Sequence, residues 1–176
     1  MLKKLLMTLM ICTTIVHHIG LKSTPLIYTR GIKQGIEIRN KQININKISF
    51  VLSRYKNTKL NADTIYKYCN EYDIDWKFCL SVGIVETQLG TDPKAYRAKR
   101  NNTVWSVGEV DNGKSHRRYN TVHEATKGFC SLINRMYKST GKTEQELLHK
   151  FTNINGRRYA SSKSYEKILK SIYIKL

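Results

Sequence analysis

Trp76-Lys77-Phe78-Cys79-Leu80-Ser81-Val82-Gly83-Ile84-Val85-Glu86-Thr87-Gln88-Leu89-Gly90 decides the fold. Asp75 ahead of it has the side chain of a helix N-cap, and Gly90 behind it suits a helix stop. Between them Phe78, Cys79, Leu80, Val82, Ile84, Val85 and Leu89 fall on nearly every side. A helix that is apolar all round packs inside a domain rather than on its surface. Glu86 is the only carboxylate between Asp75 and Asp92, and its neighbours one turn away are Val82, Gly83, Leu89 and Gly90. No cation therefore stands at the spacing of a surface ion pair. Burial penalises the charged carboxyl, and the negative end of the helix dipole acts in the same direction. A carboxylic acid kept protonated near neutral pH is what a general acid requires. Taken alone, this helix is equally compatible with a Glu on one solvated stripe.

Upstream, Asn61 is a cap residue and Ile65, Tyr66, Cys69 and Tyr72 recur at helical spacing, until Asp73-Ile74-Asp75 breaks the run. Downstream, periodicity vanishes from Thr91 to Asn120 while Gly, Asn, Asp and charged residues accumulate. A strand-like piece at Val104 to Val107 and a turn at Asp111-Asn112-Gly113 predict a small β-hairpin there. Thr121 with Glu124, and Thr143 with Glu146, are capping-box patterns that open two more helices. Tyr165, Ile168, Leu169, Ile172 and Leu176 form one stripe of a last amphipathic helix. The expected fold class is α+β, mainly α: a helical body with a small inserted β-hairpin lobe, and a cleft between the two for a polymeric substrate.

The amino terminus has the pattern of a targeting element. Lys3 and Lys4 precede an apolar run from Leu5 to Val16, short for a bilayer span but long enough for a signal core. Residues 1–20 are expected to be a signal peptide or membrane anchor; a buried helix of a cytoplasmic protein is the alternative. Residues 21–60 are expected to form a linker or extended arm, with a short strand possible near Ile48 to Leu52, and residues 61–176 the main domain.

Of the 176 residues, 31 are Lys or Arg and 13 Asp or Glu, a net charge of +18. Anionic polymers are plausible partners for such a chain, but the basic residues are spread through it, so most are expected on solvated faces and no specific nucleic-acid partner is expected. Cys12 lies in the apolar leader, which leaves Cys69, Cys79 and Cys130. Core packing is the default for all three, although Cys69 and Cys79 stand on neighbouring predicted helices and could pair. The five histidines show no metal-ligand spacing, so neither metal nor cofactor is expected.

Several segments in order carry a resemblance. Val85-Glu86-Thr87-Gln88-Leu89-Gly90-Thr91, then Asn101-Asn102-Thr103-Val104-Trp105-Ser106-Val107-Gly108, then Arg118-Tyr119-Asn120-Thr121 with Ala125, and finally Arg158-Tyr159-Ala160-Ser161-Ser162-Lys163-Ser164-Tyr165 resemble the glucosaminidase family of peptidoglycan hydrolases. In that family an acidic residue ends a core helix as Glu-Ser-x-x-Gly, an Asn-Asn-Leu-Phe-Gly-Ile-type segment follows, and a Tyr-Ala-Thr-Asp-Pro-x-Tyr segment precedes the last helix. Thr87 stands for the usual Ser, Trp105 for Phe, and the Asp-Pro pair is missing from the fourth segment; none of these removes a group needed for acid catalysis. The resemblance spans about Asn61 to Tyr173 and implies a lysozyme-like helical body.

Glycosidic cleavage requires a proton on the leaving oxygen while positive charge develops on the sugar ring. Glu86 is the expected general acid. Asp111, ahead of Glu109 and Asp92, is the candidate second carboxylate; a turn-forming Asp is its other reading, and an acetamido group of the substrate would dispense with it. Trp105, Tyr119 and Tyr159 are candidates to stack on sugar faces, Tyr159 because it matches a tyrosine lining the family's cleft; packing within the lobe is the alternative for all three. Asn101 and Asn102 either hydrogen-bond N-acetyl groups or, as the reading preferred here, hold a turn and support Glu86.

The expectation is a monomeric, exported β-N-acetylglucosaminidase acting on peptidoglycan glycan strands. A lytic transglycosylase is the neighbouring alternative, although its Gly-Leu-Met-Gln-type segment is absent after Glu86. A non-catalytic basic protein binding cell wall or nucleic acid would explain the charge but not the ordered motifs.

Overall fold

The computed structural model describes residues 25–108 and 117–176. The chain divides into two units, 1–42 and 43–176. The described part of the first is helical and its residues from 31 to 42 are exposed. Helix α1, Pro25–Leu52, continues into the second unit, where Ile45, Ile48, Val51 and Leu52 enter the core. The short strand considered near Ile48 to Leu52 is helix instead: Ile45, Ile48 and Leu52 recur at three- and four-residue spacing, a helical stripe that residues 42–46 disguised as alternation. The leader expected at 1–20 lies outside the described residues.

Helices α2 (Ala62–Glu71) and α3 (Trp76–Thr87) follow, joined by the Asp73 turn. Both caps are as the sequence predicts: the Asn61 side chain accepts from the Thr64 N–H, and Asp75 accepts from the Lys77 N–H. Asp75 also accepts a 2.5 Å hydrogen bond from the Tyr173 hydroxyl, tying the start of α3 to the end of the chain. Helix α3 is the buried element: Phe78, Cys79, Leu80 and Val82 are inaccessible to solvent, and the helix packs against α2 and the last helix. Fully burying a side chain such as Phe or Leu contributes roughly 1.5–3 kcal/mol. This one helix therefore anchors a large share of the core.

After short α4 (Tyr96–Arg100) come α5 (Val122–Ile133), which runs on as a π-helical turn over Asn134–Lys138, then α6 (Glu144–Leu147) and α7 (Tyr165–Lys175). The Thr143–Glu146 capping box is complete. At α5 only half of one forms: Thr121 accepts from the Glu124 N–H, whereas the Glu124 carboxylate turns to the Asn120 N–H.

Among the described residues the body is helical and its only β pairing is one isolated bridge between Thr152 and Arg158. The strand expected at Val104 to Val107 is instead a chain of turns, in which Asn102 and Ser106 adopt left-handed backbone. The apolar residues there belong to a looped segment that presses Val104, Trp105 and Val107 into the core. The hairpin expected around Asp111-Asn112-Gly113 lies outside the described residues.

Candidate active site at the end of the buried helix

Helix α3 ends in an unusual turn. Gln88, Leu89 and Gly90 all have positive φ, 49°, 56° and 81°. The N–H groups of Gln88 and Leu89 return to the carbonyls of Ile84 and Gly83, and Leu89 folds back into the core. This return requires Gly83. A Cβ there would sit 2.9 Å from Leu89 Cδ2 and 3.1 Å from Trp105 Nε1. Thr87 fastens the turn to the next segment: its hydroxyl donates to the Val104 carbonyl at 2.7 Å and accepts from the Gly90 N–H at 2.8 Å. A Ser at this position would supply the same hydroxyl, so the departure from the expected motif preserves the chemistry.

One residue before Thr87, the half-buried Glu86 side chain accepts a 2.5 Å hydrogen bond from the Tyr165 hydroxyl. The Ser106 hydroxyl is a second group that favours the charged carboxyl. Burial pushes the Glu86 pKa above the ordinary carboxylate range, and the hydrogen bonds from Tyr165 and Ser106 only partly offset that. None of the ion pairs among the described residues includes Glu86. The acid is thus largely shielded from water and steadied by neutral donors.

Tyr165 is the functional residue that sequence reasoning missed. Its ring counts as part of the buried stripe of α7, which hides its hydroxyl; the available signal was its place at the end of the Arg158–Tyr165 segment. Burial and the neighbouring Glu86 charge hold its phenol proton on far more tightly than usual, so it remains a donor at any working pH. Ser106 was quoted in the Asn-Asn segment without being singled out, since a Ser in a turn carries no chemistry by itself.

The sequence candidates separate into two groups. Tyr159 does lie beside the acid, close enough for the Glu86 charge to raise its pKa along with burial. Its hydroxyl donates to the Trp105 carbonyl at 2.5 Å, and its ring stacks on Phe151 with centroids 4.4 Å apart. One ring face is therefore already taken by the core. Trp105 is fully buried, stacked on Phe129 at 5.1 Å and donating its indole N–H to the Cys79 carbonyl at 2.8 Å. A ring without accessible surface has no face to offer a sugar, and the packing alternative describes Trp105.

Tyr119 is half-buried against Gly128, where an added Cβ would sit 2.5 Å from its hydroxyl oxygen. Its N–H donates to the Asn101 carbonyl at 3.0 Å. Asn102, in left-handed backbone, donates its side-chain amide to the carbonyls of Tyr119 and Asn120. Asn101 is buried beside it. The pair therefore clips the segment before α5 to the segment that leads to Ser106. Of the carboxylates weighed as partners of Glu86, Asp92 is used locally, accepting from the Lys94 N–H at 2.9 Å; Glu109 and Asp111 lie outside the described residues.

A family model for the glucosaminidases, described as mannosyl-glycoprotein endo-beta-N-acetylglucosaminidase, matches residues 62–176. The chain belongs to the glucosaminidase family. No curated protein matches it closely enough to add a second comparison. The match begins at the first residue of α2 and ends at the last of the chain, so the glucosaminidase domain contains every residue of the Glu86 cluster. Membership points to glycoside hydrolase chemistry, to a glycan substrate and, in general terms, to peptidoglycan hydrolysis.

Proposed function

We propose that the glucosaminidase domain hydrolyses β-1,4 glycosidic bonds of bacterial peptidoglycan strands as a β-N-acetylglucosaminidase, with Glu86 as proton donor. The observation that carries this reading is the half-buried Glu86 carboxyl at the end of α3, its pKa raised by burial and its oxygens met by the Tyr165 and Ser106 hydroxyls. Protonated Glu86 gives its proton to the oxygen that leaves the sugar, and the bond from that oxygen to the anomeric carbon breaks. The carboxylate left behind is where the Tyr165 hydroxyl points. Donors already aimed at the charge that forms lower the barrier without having to reorganise. Positive charge on the ring then calls for a second group, and Asp111 is the proposed one; about 5–5.5 Å between the carboxyls gives retention, roughly 6.5–9.5 Å inversion.

The substrate also suits the charge. A chain of +18 gathers at anionic wall polymers, and the apolar run behind Lys3 and Lys4 supports export to them.

The test is Glu86→Gln. This variant keeps the shape and the hydrogen-bonding capacity of the side chain but has no proton to give, and it is expected to fold while losing clearance of cell-wall suspensions. Equal clearance refutes the assignment. Mass spectrometry of the muropeptides released by the unaltered protein reads the bond: reducing N-acetylglucosamine ends are expected, and anhydro sugars would make the protein a lytic transglycosylase.

A further inference from the structure

Helices α2, α3 and α5 each contribute one cysteine to the point where they meet. Cys69, Cys79 and Cys130 are all buried, and their Sγ atoms lie within 4.8 Å of one another. Along the chain their spacing matches no metal-binding pattern; only the packing of α2 against both α3 and α5 brings them together. We propose that these three thiols form a binding site for a thiophilic divalent cation of the zinc class.

Geometry favours an ion over a disulfide. Zinc–thiolate bonds of about 2.3 Å place the sulfurs of a tetrahedral site about 3.8 Å apart. Reaching that from separations of at most 4.8 Å asks each pair to close by about 1 Å or less. A disulfide would draw one pair to about 2.05 Å and leave the third sulfur without a role. The donor set is all sulfur, which selects soft ions over magnesium or calcium. Charge selects among the soft ions: three thiolates around a divalent cation leave one net negative charge in the core, where a monovalent cation would leave two.

An entry and a fourth ligand are also at hand. Cys69 lines a pocket of about 570 Å³ whose other walls include Asp73, Asp75, Lys138 and Glu144. Water from this side can complete a tetrahedron begun by three protein sulfurs. Binding converts three thiols to thiolates and releases their three protons to solvent. The ion then joins three helices at one point, in addition to the packing they already share.

Cobalt(II) is the probe, because thiolate-bound tetrahedral cobalt absorbs visibly where zinc is silent. The full chain with Cys12→Ser, so that only the three core thiols remain, is reduced and titrated without oxygen. Sulfur-to-cobalt charge transfer and tetrahedral bands should saturate at one ion per chain and disappear when zinc is added. Zinc should raise the melting midpoint by about 5–10 °C and protect all three thiols from alkylation. Cys79→Ala should abolish the bands; thiol protection in the chain that retains the three cysteines decides the matter if that variant does not fold. Absence of bands and of protection, bands that survive in folded Cys79→Ala, or thiols recovered as a disulfide without ion uptake each overturn the proposal. Glu86→Gln should bind cobalt like the parent, which separates this site from the proposed hydrolase chemistry.

Discussion

Replacing Tyr165 by Phe tests how the proton on Glu86 is controlled. The ring is buried near Phe151 and Tyr159, with centroids 6.3 and 6.1 Å away, and Phe keeps all of that packing. What disappears is one O–H donating to Glu86 Oε1 at 2.5 Å. That bond favours the charged carboxyl, so its removal must push the Glu86 pKa further up. Hydrogen bonds to charged groups contribute about 1.5–3 kcal/mol, and 1.36 kcal/mol corresponds to one pH unit. The alkaline limb of the pH–rate profile, where the general acid loses its proton, should therefore move up by about one to two pH units. At the optimum the turnover rate should fall, because the carboxylate formed in the transition state has lost one of its two donors. Initial rates of wall clearance from pH 4 to 9, with circular dichroism to verify folding, provide the measurement. An alkaline limb that does not move, in a folded variant, would refute the claim that this hydroxyl governs the acid.

Glu86→Gln should abolish clearance and also change how stability depends on pH. The folded-state pKa of Glu86 is raised, so the folded protein holds this proton over a range where the unfolded chain has lost it. Its penalty is absent below the ordinary carboxylate pKa and grows as pH rises toward the folded value. Denaturant midpoints of parent and variant should accordingly converge at low pH, with the variant more stable at neutral pH. Trp105→Ala should destabilise the protein by about 3–5 kcal/mol, as truncation of a buried aromatic does; a loss below about 1 kcal/mol in urea unfolding would contradict its place in the core. For Thr87→Val, the Val104 carbonyl loses its donor, at about 1–3 kcal/mol for a group left buried and unpaired, while the Gly90 N–H keeps the Thr87 backbone carbonyl. Thr87→Ser keeps both bonds and should retain most of the stability and the wall-clearing activity.

What could be read from the sequence followed the range of the forces involved. The caps at Asn61, Asp75 and Thr143 are contacts within three residues, and each appears as its local pattern predicts. The buried character of α3 was legible because a helix with apolar residues on every face has no side left to turn to water, and Glu86 stood out against that background. The Val104–Val107 segment misled because a short apolar run is shared by strands and by looped chain pressed into a core. Helix α1 was missed because its first part buries none of its apolar residues, Ile32, Ile36 and Ile38 being exposed, and its buried stripe begins only at Ile45.

The hydroxyl on Glu86 was hidden for a related reason. A carboxyl at the end of a buried helix can be found from the helix, but the groups that set its proton come from residues 106 and 165, and no local pattern couples them. Tyr165 can do this only because α7 packs against α3, while the Tyr173–Asp75 hydrogen bond joins the far end of α7 to the start of the same helix. The last helix thus meets α3 at both ends, once at a cap and once at the proposed acid. Packing that stabilises the body is therefore also what aligns a donor with the Glu86 carboxyl. Lengthening the segment between Tyr159 and Tyr165 should impair catalysis before it unfolds the domain, because the hydroxyl has to meet one oxygen at 2.5 Å whereas apolar packing tolerates displacement.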